Sequence, residues 1–379
     1  MPVFICASVE KTYNELGDKS FERQEASLSS VFITGGLGFI GSAVVRHLMA
    51  TTKHKVVVID AMTYAAMPEA VAEFSDHTRY DFERCDICDF DLFQRLLDKY
   101  KPSIIMHLAA ESHVDRSIDG PAKFIQTNVV GTVQVLEACR AYHAALPAKE
   151  KQAFRLHHIS TDEVFGSLKP GDPEFTELSR YDPRSPYSAS KAASDHFVRA
   201  WGETYGLPVV LSNCSNNYGP WQFPEKLIPL MIANGVDRKA LPVYGDGQNI
   251  RDWLHVEDHA EALWLIASRG VLGESYNVGG ASERTNLDVV EAICGILDTA
   301  FPERPPHKKL IGFVEDRPGH DFRYAVNFDR IQKEFGWRPR HNFESGLKET
   351  VKWYLENEVW WRAKLDKSNA TKRRGLAKS

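Results

Sequence analysis

Thr161-Asp162-Glu163 and, 24 residues further on, Tyr187-x-x-x-Lys191 bring a hydroxyl, two carboxylates, a phenol and an ammonium into one short stretch of a 379-residue chain. Residues four apart lie on one face of a helix, so the phenol and the ammonium can meet at one site. An ammonium beside a phenol favours the phenolate. A phenol acidified in this way can take a proton from an alcohol or sugar hydroxyl while hydride leaves the carbon, which is what a nicotinamide-dependent oxidation demands. Simple alcohol oxidation has no use for two further carboxylates. If Asp162 and Glu163 end a strand at a cleft, different surroundings can hold one protonated and the other ionised, an acid and a base. That pairing adds elimination to redox. Tyr-x-x-x-Lys alone is mostly ordinary helix surface and an acidic pair mostly a solvated turn, so the set gains its meaning from the cofactor site that precedes it.

That site is Gly36-Leu37-Gly38-Phe39-Ile40-Gly41, with Gly35 in front, directly after the apolar run Val31-Phe32-Ile33-Thr34 and opening a helix. Glycines at this spacing permit a tight turn and bring the backbone close to a pyrophosphate seated on the helix N-terminus. Asp60, about 20 residues on at the end of a second strand, is placed to accept from both ribose hydroxyls, and its charge repels a 2′-phosphate. The expected cofactor is therefore NAD rather than NADP. Asp86 and Ile87, at the end of a third strand, are placed to flank adenine.

The elements needed to position these groups can be read from the chain. Strands are predicted at 31–34, 55–59, 80–85, 104–108, 154–160, 208–212 and 275–278. Helices are predicted at 42–49, 92–100, 121–145, 186–205, about 224–235, 256–268, 287–298 and 343–356. Strands alternating with helices at these lengths make a Rossmann-type, doubly wound parallel α/β sheet covered on both faces, with a smaller C-terminal α/β lobe for the substrate. The expected division is an extension outside the fold over 1–28, a cofactor-binding domain over 29–213 plus about 252–278, a substrate lobe over about 214–251 plus 279–358, and a basic tail over 359–379.

Composition narrows the function classes. A hydrophobic share of 43% with 26% charged residues suits a soluble globular chain large enough for two medium domains. The net charge of −5 argues against a nucleic-acid partner. Lys372-Arg373-Arg374 and Lys378 are the exception, read here as a frayed terminus. No apolar run reaches bilayer-spanning length and the start lacks a basic leader, so a cytoplasmic location is expected, with no membrane partner. The six cysteines have no disulfide rhythm. Cys85-x-x-Cys88 has no second pair or close histidine to complete a zinc site, and no metal is expected.

From about Val31 to Tyr354 the chain resembles the extended short-chain dehydrogenase/reductase family and, within it, the nucleotide-sugar 4,6-dehydratases. The strings that carry the resemblance are His107-Leu108-Ala109-Ala110-Glu111-Ser112-His113-Val114-Asp115, Ser160 to Gly166, Ser185-Pro186-Tyr187-Ser188-Ala189-Ser190-Lys191, Cys214 to Pro220, Phe223 to Pro229, Arg251-Asp252-Trp253 and Asp316-Arg317-Pro318-Gly319-His320-Asp321. The resemblance implies a retained NAD and a nucleotide-sugar substrate, dTDP-glucose first and UDP-glucose as the alternative. It assigns Tyr187 with Lys191 to the 4-hydroxyl proton, Thr161 to a hydrogen bond at that position, Glu163 to the carbon-5 proton and a protonated Asp162 to the departing 6-hydroxyl. Gly35, Gly38, Phe39, Ile40, Gly41, Asp60, Ala61, Met62, Thr63, Asp86, Ile87, Leu108, Ala109, Ala110, Ser112, Thr127, Tyr187, Lys191 and Asn217 would line the NAD. Ser112, Thr161, Asn216, Lys226, Leu227, Pro242, Val243 and Tyr244 would face the sugar and base. Arg251, Asn286, Asp316, Arg317, Pro318, Gly319 and His320 would face the diphosphate and nucleoside end, where guanidinium forks and amides suit phosphate oxygens. The family's homodimer, built from the helices bearing Tyr187 and residues 126–141, is expected too.

Three departures stand out: Phe165 where the family usually has Tyr, Ala61-Met62 in place of Lys-Leu after Asp60, and a first segment, 1–28, without counterpart. Rival readings fit less well. A sugar 4-epimerase needs Tyr187 and Lys191 but neither carboxylate. A GDP-mannose dehydratase would show Thr-Ser-Glu and prefer NADP. A non-catalytic NAD sensor would not keep all five reactive groups.

Overall fold

The computed structural model describes residues 29–367, so the readings of 1–28 and of the Lys372-Arg373-Arg374 cluster lie outside the described residues. In chain order the strands are β1 (Ser30–Thr34), β2 (Lys55–Asp60), β3 (Tyr80–Arg84), β4 (Pro102–His107), β5 (Arg155–Thr161), β6 (Val209–Cys214), β7 (Asn216–Tyr218), β8 (Leu241–Tyr244), β9 (Ile250–His255), β10 (Ser275–Val278), β11 (Glu283–Thr285) and β12 (Ile311–Val314). Seven of them form one parallel sheet in the order β10-β6-β5-β4-β1-β2-β3. Val31, Phe32, Ile33 and Val56 to Ile59 are fully buried, as β-branched runs in a sheet covered on both faces must be. Helices Phe39–Thr51 and Val256–Arg269 share a core with one face. Phe90–Tyr100, Thr132–Ala145 and Pro186–Tyr205 share a core with the other. Strand order reverses between β1 and β4, which opens a crevice at the carboxyl ends of the strands. The Rossmann-type α/β architecture is thus present.

A smaller assembly lies beyond those carboxyl ends. Strands β11, β9 and β7 make a three-stranded sheet, β8 and β12 a parallel pair. Helices Leu227–Val236, Asn286–Ala300 and Phe343–Glu356 close a second core around Ile232, Val290, Ile293 and Val351.

Several expectations differ from the packing. Cys214 completes β6 of the large sheet, whereas Asp252 to His255 belong to β9 of the small one, so the chain passes between units slightly later than predicted. Helix Asp329–Phe335 lies within the range assigned to the lobe, yet Ile331 and Trp337 pack with Val210, Tyr276 and Val278 at the β10 edge. The predicted helix 121–145 is interrupted by a π-helical stretch, Ile125–Gly131. Within it, Asn128 donates to the Ser190 hydroxyl at 2.8 Å and to the Glu111 carbonyl at 3.0 Å, so the irregular stretch is pinned to the helix bearing Tyr187.

Residues 359–367, assigned to a tail, lie in a helix, Glu358–Lys367. Trp361 is 1% exposed, joins the second core and donates its indole N–H to the Tyr354 carbonyl at 2.9 Å. Charge counting hid this, because one buried indole outweighs the surrounding lysines and arginines. Trp361→Ala is expected to destabilise the protein by about 3–5 kcal/mol, measured by denaturant unfolding; a loss within about 0.5 kcal/mol would mean that the helix is not part of the folded unit.

Candidate active site

β1 delivers its chain end into a turn that only glycine accommodates at two points. Gly35 has φ +70°, and a Cβ there would sit 2.8 Å from the Ala109 backbone; a Cβ at Gly41 would come within 2.1 Å of the Gly35 carbonyl. Gly38 caps helix Phe39–Thr51 with no side chain, and the first turn carries no acidic residue, so the amides there are open to an anion. Asp60 accepts from the Leu37 amide at 3.1 Å and from the Met62 amide at 2.8 Å. Burial pushes its carboxyl up, and those two amides hold it back.

A cavity of about 380 Å³ runs along this crevice. Of the residues expected around the cofactor, Gly35, Gly38, Phe39, Ile40, Gly41, Asp60, Ala61, Thr63, Asp86, Ile87, Leu108, Ala109, Ala110, Ser112, Thr127, Tyr187, Lys191 and Asn217 line it. Met62 does not. Its φ of +57° turns the chain so that its amide faces Asp60 while the side chain stays 39% exposed. An open helix N-terminus, a backbone cradle that a Cβ would fill and a carboxylate at the end of β2 together fit a dinucleotide.

The reactive groups converge at the end of β5. Thr161 closes the strand, and its hydroxyl caps one 3₁₀ turn, Asp162–Phe165, by accepting from the Glu163 amide at 3.3 Å. Helix Pro186–Tyr205 begins with Pro186 behind a reciprocal Ser185–Ser188 cap, which fixes Tyr187 and Lys191 in its first two turns. Phe165 is buried against Phe175 and Tyr181, with ring centroids 5.2 Å away in each case, so the missing hydroxyl leaves a packed aromatic group.

Electrostatics separates the two carboxyls. Asp162 is 1% exposed, accepts from the Thr161 hydroxyl at 3.3 Å through Oδ1 and has no hydrogen-bond partner at Oδ2. Burial first, then the charges of Glu163 and Asp252, hold it well above the usual carboxylate range. Glu163 is also raised by burial, but Arg317, Arg251 and Lys226 pull it back. The phenol departs from expectation. Burial, followed by the Glu163 charge, pushes Tyr187 well above its ordinary value, while Lys191 donates to the Ile159 carbonyl at 2.9 Å rather than to the phenol. Burial first, then the Glu163 charge, thus works against the phenolate that the lysine alone would favour.

A second cavity of about 750 Å³ adjoins the first. It is lined by Ser112, Asn216, Lys226, Leu227, Pro242, Val243, Tyr244, Arg251, Asn286, Arg317 and His320, as the sequence suggested, and Glu163 and Lys226 line both cavities. Thr161 lies in the wall of the first only. Asp316, Pro318 and Gly319 line neither cavity; instead they build the loop that presents Arg317 and His320. Asp316 accepts from the Arg317 amide at 2.8 Å and pairs with the His320 ring at 2.6 Å, while Gly319 turns at φ +66°. Arg251 is more committed than expected. It donates to the carbonyls of Ile250 and Asp321 at 2.7 and 3.0 Å, and stacks 4.3 Å above the Tyr324 ring.

The sequence reading missed the group that walls the second cavity beside the first. Glu225 accepts from Arg116 at 3.0 Å and from the Tyr64 hydroxyl at 3.2 Å, and Arg116 lies 3.8 Å over the Tyr64 ring. Asp115 accepts from Tyr244 at 3.2 Å and faces Arg317 at 3.6 Å. Asp115 and Glu225 stood inside quoted strings without a role, whereas nothing local marks Tyr64 or Arg116. Among the described residues, the metal-type donors grouped within 4.8 Å are His255, Glu257 and His341. Those two rings stack at 3.9 Å and 24°, so their lone pairs lie in near-parallel planes rather than meeting at a point.

Comparison with known proteins agrees with this geometry. A family model described as GDP-mannose 4,6 dehydratase matches residues 32–350. A dTDP-glucose 4,6-dehydratase of Neisseria meningitidis serogroup B is 55% identical over 355 residues, covering 93% of this chain and 100% of that protein. Among solved structures, a dTDP-glucose 4,6-dehydratase from Bacillus anthracis in complex with NAD is 42% identical with a TM-score of 0.79, covering 89% of this chain and 99% of that one. Another from Streptomyces venezuelae, with NAD bound, is 41% identical with a TM-score of 0.81, covering 88% and 99%. On its sequence, its fold and its carboxylate-bearing site, the chain belongs to the dTDP-glucose 4,6-dehydratase family.

Proposed function

We propose that this protein dehydrates dTDP-glucose to dTDP-4-keto-6-deoxyglucose, by oxidation at carbon 4, loss of water across carbons 5 and 6 and reduction at carbon 6. The observation that carries the reading is that Asp162 and Glu163, two unlike carboxyls, line the first cavity with Tyr187, while Glu163 also lines the second. A 4-epimerase would leave both without work. NAD, held by the glycine turn, Asp60 and the Asp86–Ile87 and Leu108–Ser112 segments, supplies the hydride acceptor and donor when bound. The chain's own groups move the protons. Tyr187, acting as the phenolate that the Lys191 ammonium favours, takes the 4-hydroxyl proton, with Thr161 hydrogen-bonded to the same oxygen. The 4-ketone acidifies the hydrogen on carbon 5, and Glu163, whose ionised form Arg317, Arg251 and Lys226 favour, removes it. Asp162, protonated, gives its proton to the 6-hydroxyl as water departs. Arg317, Arg251, Asn286 and His320 serve the diphosphate and nucleoside end.

The same reading includes a homodimer in the cytoplasm, and the support for the dimer is the exposed apolar set on adjacent helices, Ile125 and Val130 on one and Phe197 and Tyr205 on the other.

Purified protein with dTDP-glucose is expected to yield a 4-keto-6-deoxy sugar, read as mass loss of one water and the alkali-dependent absorbance of the ketone. dTDP-galactose as sole product would reverse the assignment, and a faster rate with UDP-glucose would change the nucleotide. Glu163→Gln is expected to let reduced nicotinamide accumulate while water loss stops; unchanged turnover would remove Glu163 from the chemistry. The acid limb of kcat should lie above the ordinary glutamate range, because burial raises Glu163. The raised Asp162 also bears on stability. A carboxyl whose folded pKa is raised loses stability as pH climbs from its unfolded value toward the folded one. Asp162→Asn is therefore expected to match or exceed the parent Tm at neutral pH while losing about a hundredfold or more in kcat; a lower Tm with full activity would contradict both assignments.

A further inference from the structure

Beneath the helix that carries Tyr187 and Lys191 lies a buried polar group that the reaction does not use directly. Asp195 sits one turn beyond Lys191 on the same helix and is 0% exposed. Its Oδ1 accepts from His158 Nε2 at 3.1 Å, and its Oδ2 accepts from the Ser160 hydroxyl at 2.8 Å, the Tyr181 hydroxyl at 3.0 Å and the Asn213 amide at 3.4 Å. Four donors on one buried carboxylate stabilise its charged form. His158 is 1% exposed and lies between the two charges: its Nε2 is also 3.4 Å from Lys191 Nζ. The Lys191 ammonium itself donates to the Ile159 carbonyl at 2.9 Å, so Asp195 holds Lys191 without a direct ion pair.

We propose that Asp195 is the counter-ion and positioning residue of Lys191, keeping that lysine charged inside the protein while leaving its ammonium free to serve Tyr187. The proposal rests on the assignment of Tyr187 and Lys191 to proton transfer. The physical need is clear, since a lysine buried this deeply is driven toward its neutral form. Burial lowers Lys191, and the charge of Asp195 is the first influence that opposes it, with Cys214 second. Asp195 stays below the ordinary aspartate range in spite of its burial, through His158 first and then Lys191 and Ser160. His158 is pushed down to about 4, by burial first and by Lys191 second, so it is a neutral donor to Asp195 rather than a second cation. A direct Lys–Asp pair would draw the ammonium away from the site; routing the attraction through a neutral imidazole keeps the field without the bond. Residues of β5, β6 and the segment before the helix contribute to this network, which also aligns the helix on the strand that ends at Thr161.

Asp195→Asn keeps size and most hydrogen bonds but removes the charge. Without its counter-ion Lys191 loses its proton at lower pH, so the alkaline limb of the kcat profile is expected to move down by about one unit, roughly a tenfold loss of kcat at a fixed pH on that limb. KM for dTDP-glucose should stay within about twofold of the parent, and Asp195→Glu should bring the limb back. A merely structural residue would lower Tm without moving the profile, so a profile that superimposes on the parent overturns the proposal. Should Asp195→Asn fail to fold, Tyr181→Phe removes one donor from the same carboxylate. The Asp195 carboxylate, relieved of one donor, then acts more strongly on Lys191, and the alkaline limb is expected to move up; an unmoved limb again overturns the proposal. Lys191→Met separates the two levels of inference. Activity retained in that variant sinks the assignment of Lys191, whereas activity lost with unmoved Asp195 and Tyr181 profiles sinks only the role of Asp195.

Discussion

Burial of charge at the carboxyl end of β5 is the constraint around which the rest of the molecule is arranged. Asp162, Tyr187, Lys191 and Asp195 are all nearly or wholly inaccessible to water. Each would be costly alone. The structure answers with hydrogen bonds and opposed charges: backbone carbonyl for Lys191, four donors for Asp195, a hydroxyl for Asp162 and three cations across the cavity from Glu163. The parallel sheet makes this possible, because it brings the ends of β1, β4, β5 and β6 to one rim and leaves the crossover helices to seal its faces.

The division of labour between the two cavities follows from the same rim. One occupies the crevice where strand order reverses, with a backbone-lined turn and Asp60. The other is roofed by the smaller unit, which supplies Arg251 from β9, Asn286 from the start of a helix, and Arg317 and His320 from a loop. The reactive residues belong to the large sheet and the groups suited to recognition mostly to the small unit. Recognition and proton transfer are thus divided between the two units, and they meet at Glu163, whose charge Arg317, Arg251 and Lys226 favour.

How much of this could be read in the sequence depended on how local each cause was. The strand before Gly35, the glycine turn, Asp60 and the capped helix of Tyr187 and Lys191 are dictated by neighbours within a few residues, and they formed where periodicity and caps placed them. Strands β7, β8, β11 and β12 are three or four residues long, too short for any period to declare itself, and exist only through pairing with distant segments. Tyr64, Arg116 and Glu225 are joined across 161 and 109 residues of chain, so no local pattern could group them. Met62 was taken from a string of adjacent residues, but one left-handed backbone turn moved it outside the cavity. The opposition to a Tyr187 phenolate was hidden for a related reason: the pairing with Lys191 is written in the helix, whereas burial and the Glu163 charge come from packing against the turn that follows β5.

The position of Glu163 in the walls of both cavities has a consequence for timing. Arg317, Arg251 and Lys226 draw its carboxylate toward the ionised, weakly basic state. A diphosphate held against those cations would spend their charge on its own oxygens, and Glu163 would then feel less of it and bind a proton more avidly. The base would be weak while the pocket waits and strong once the sugar is seated, so the carboxylate would be armed by the far end of the molecule on which it acts.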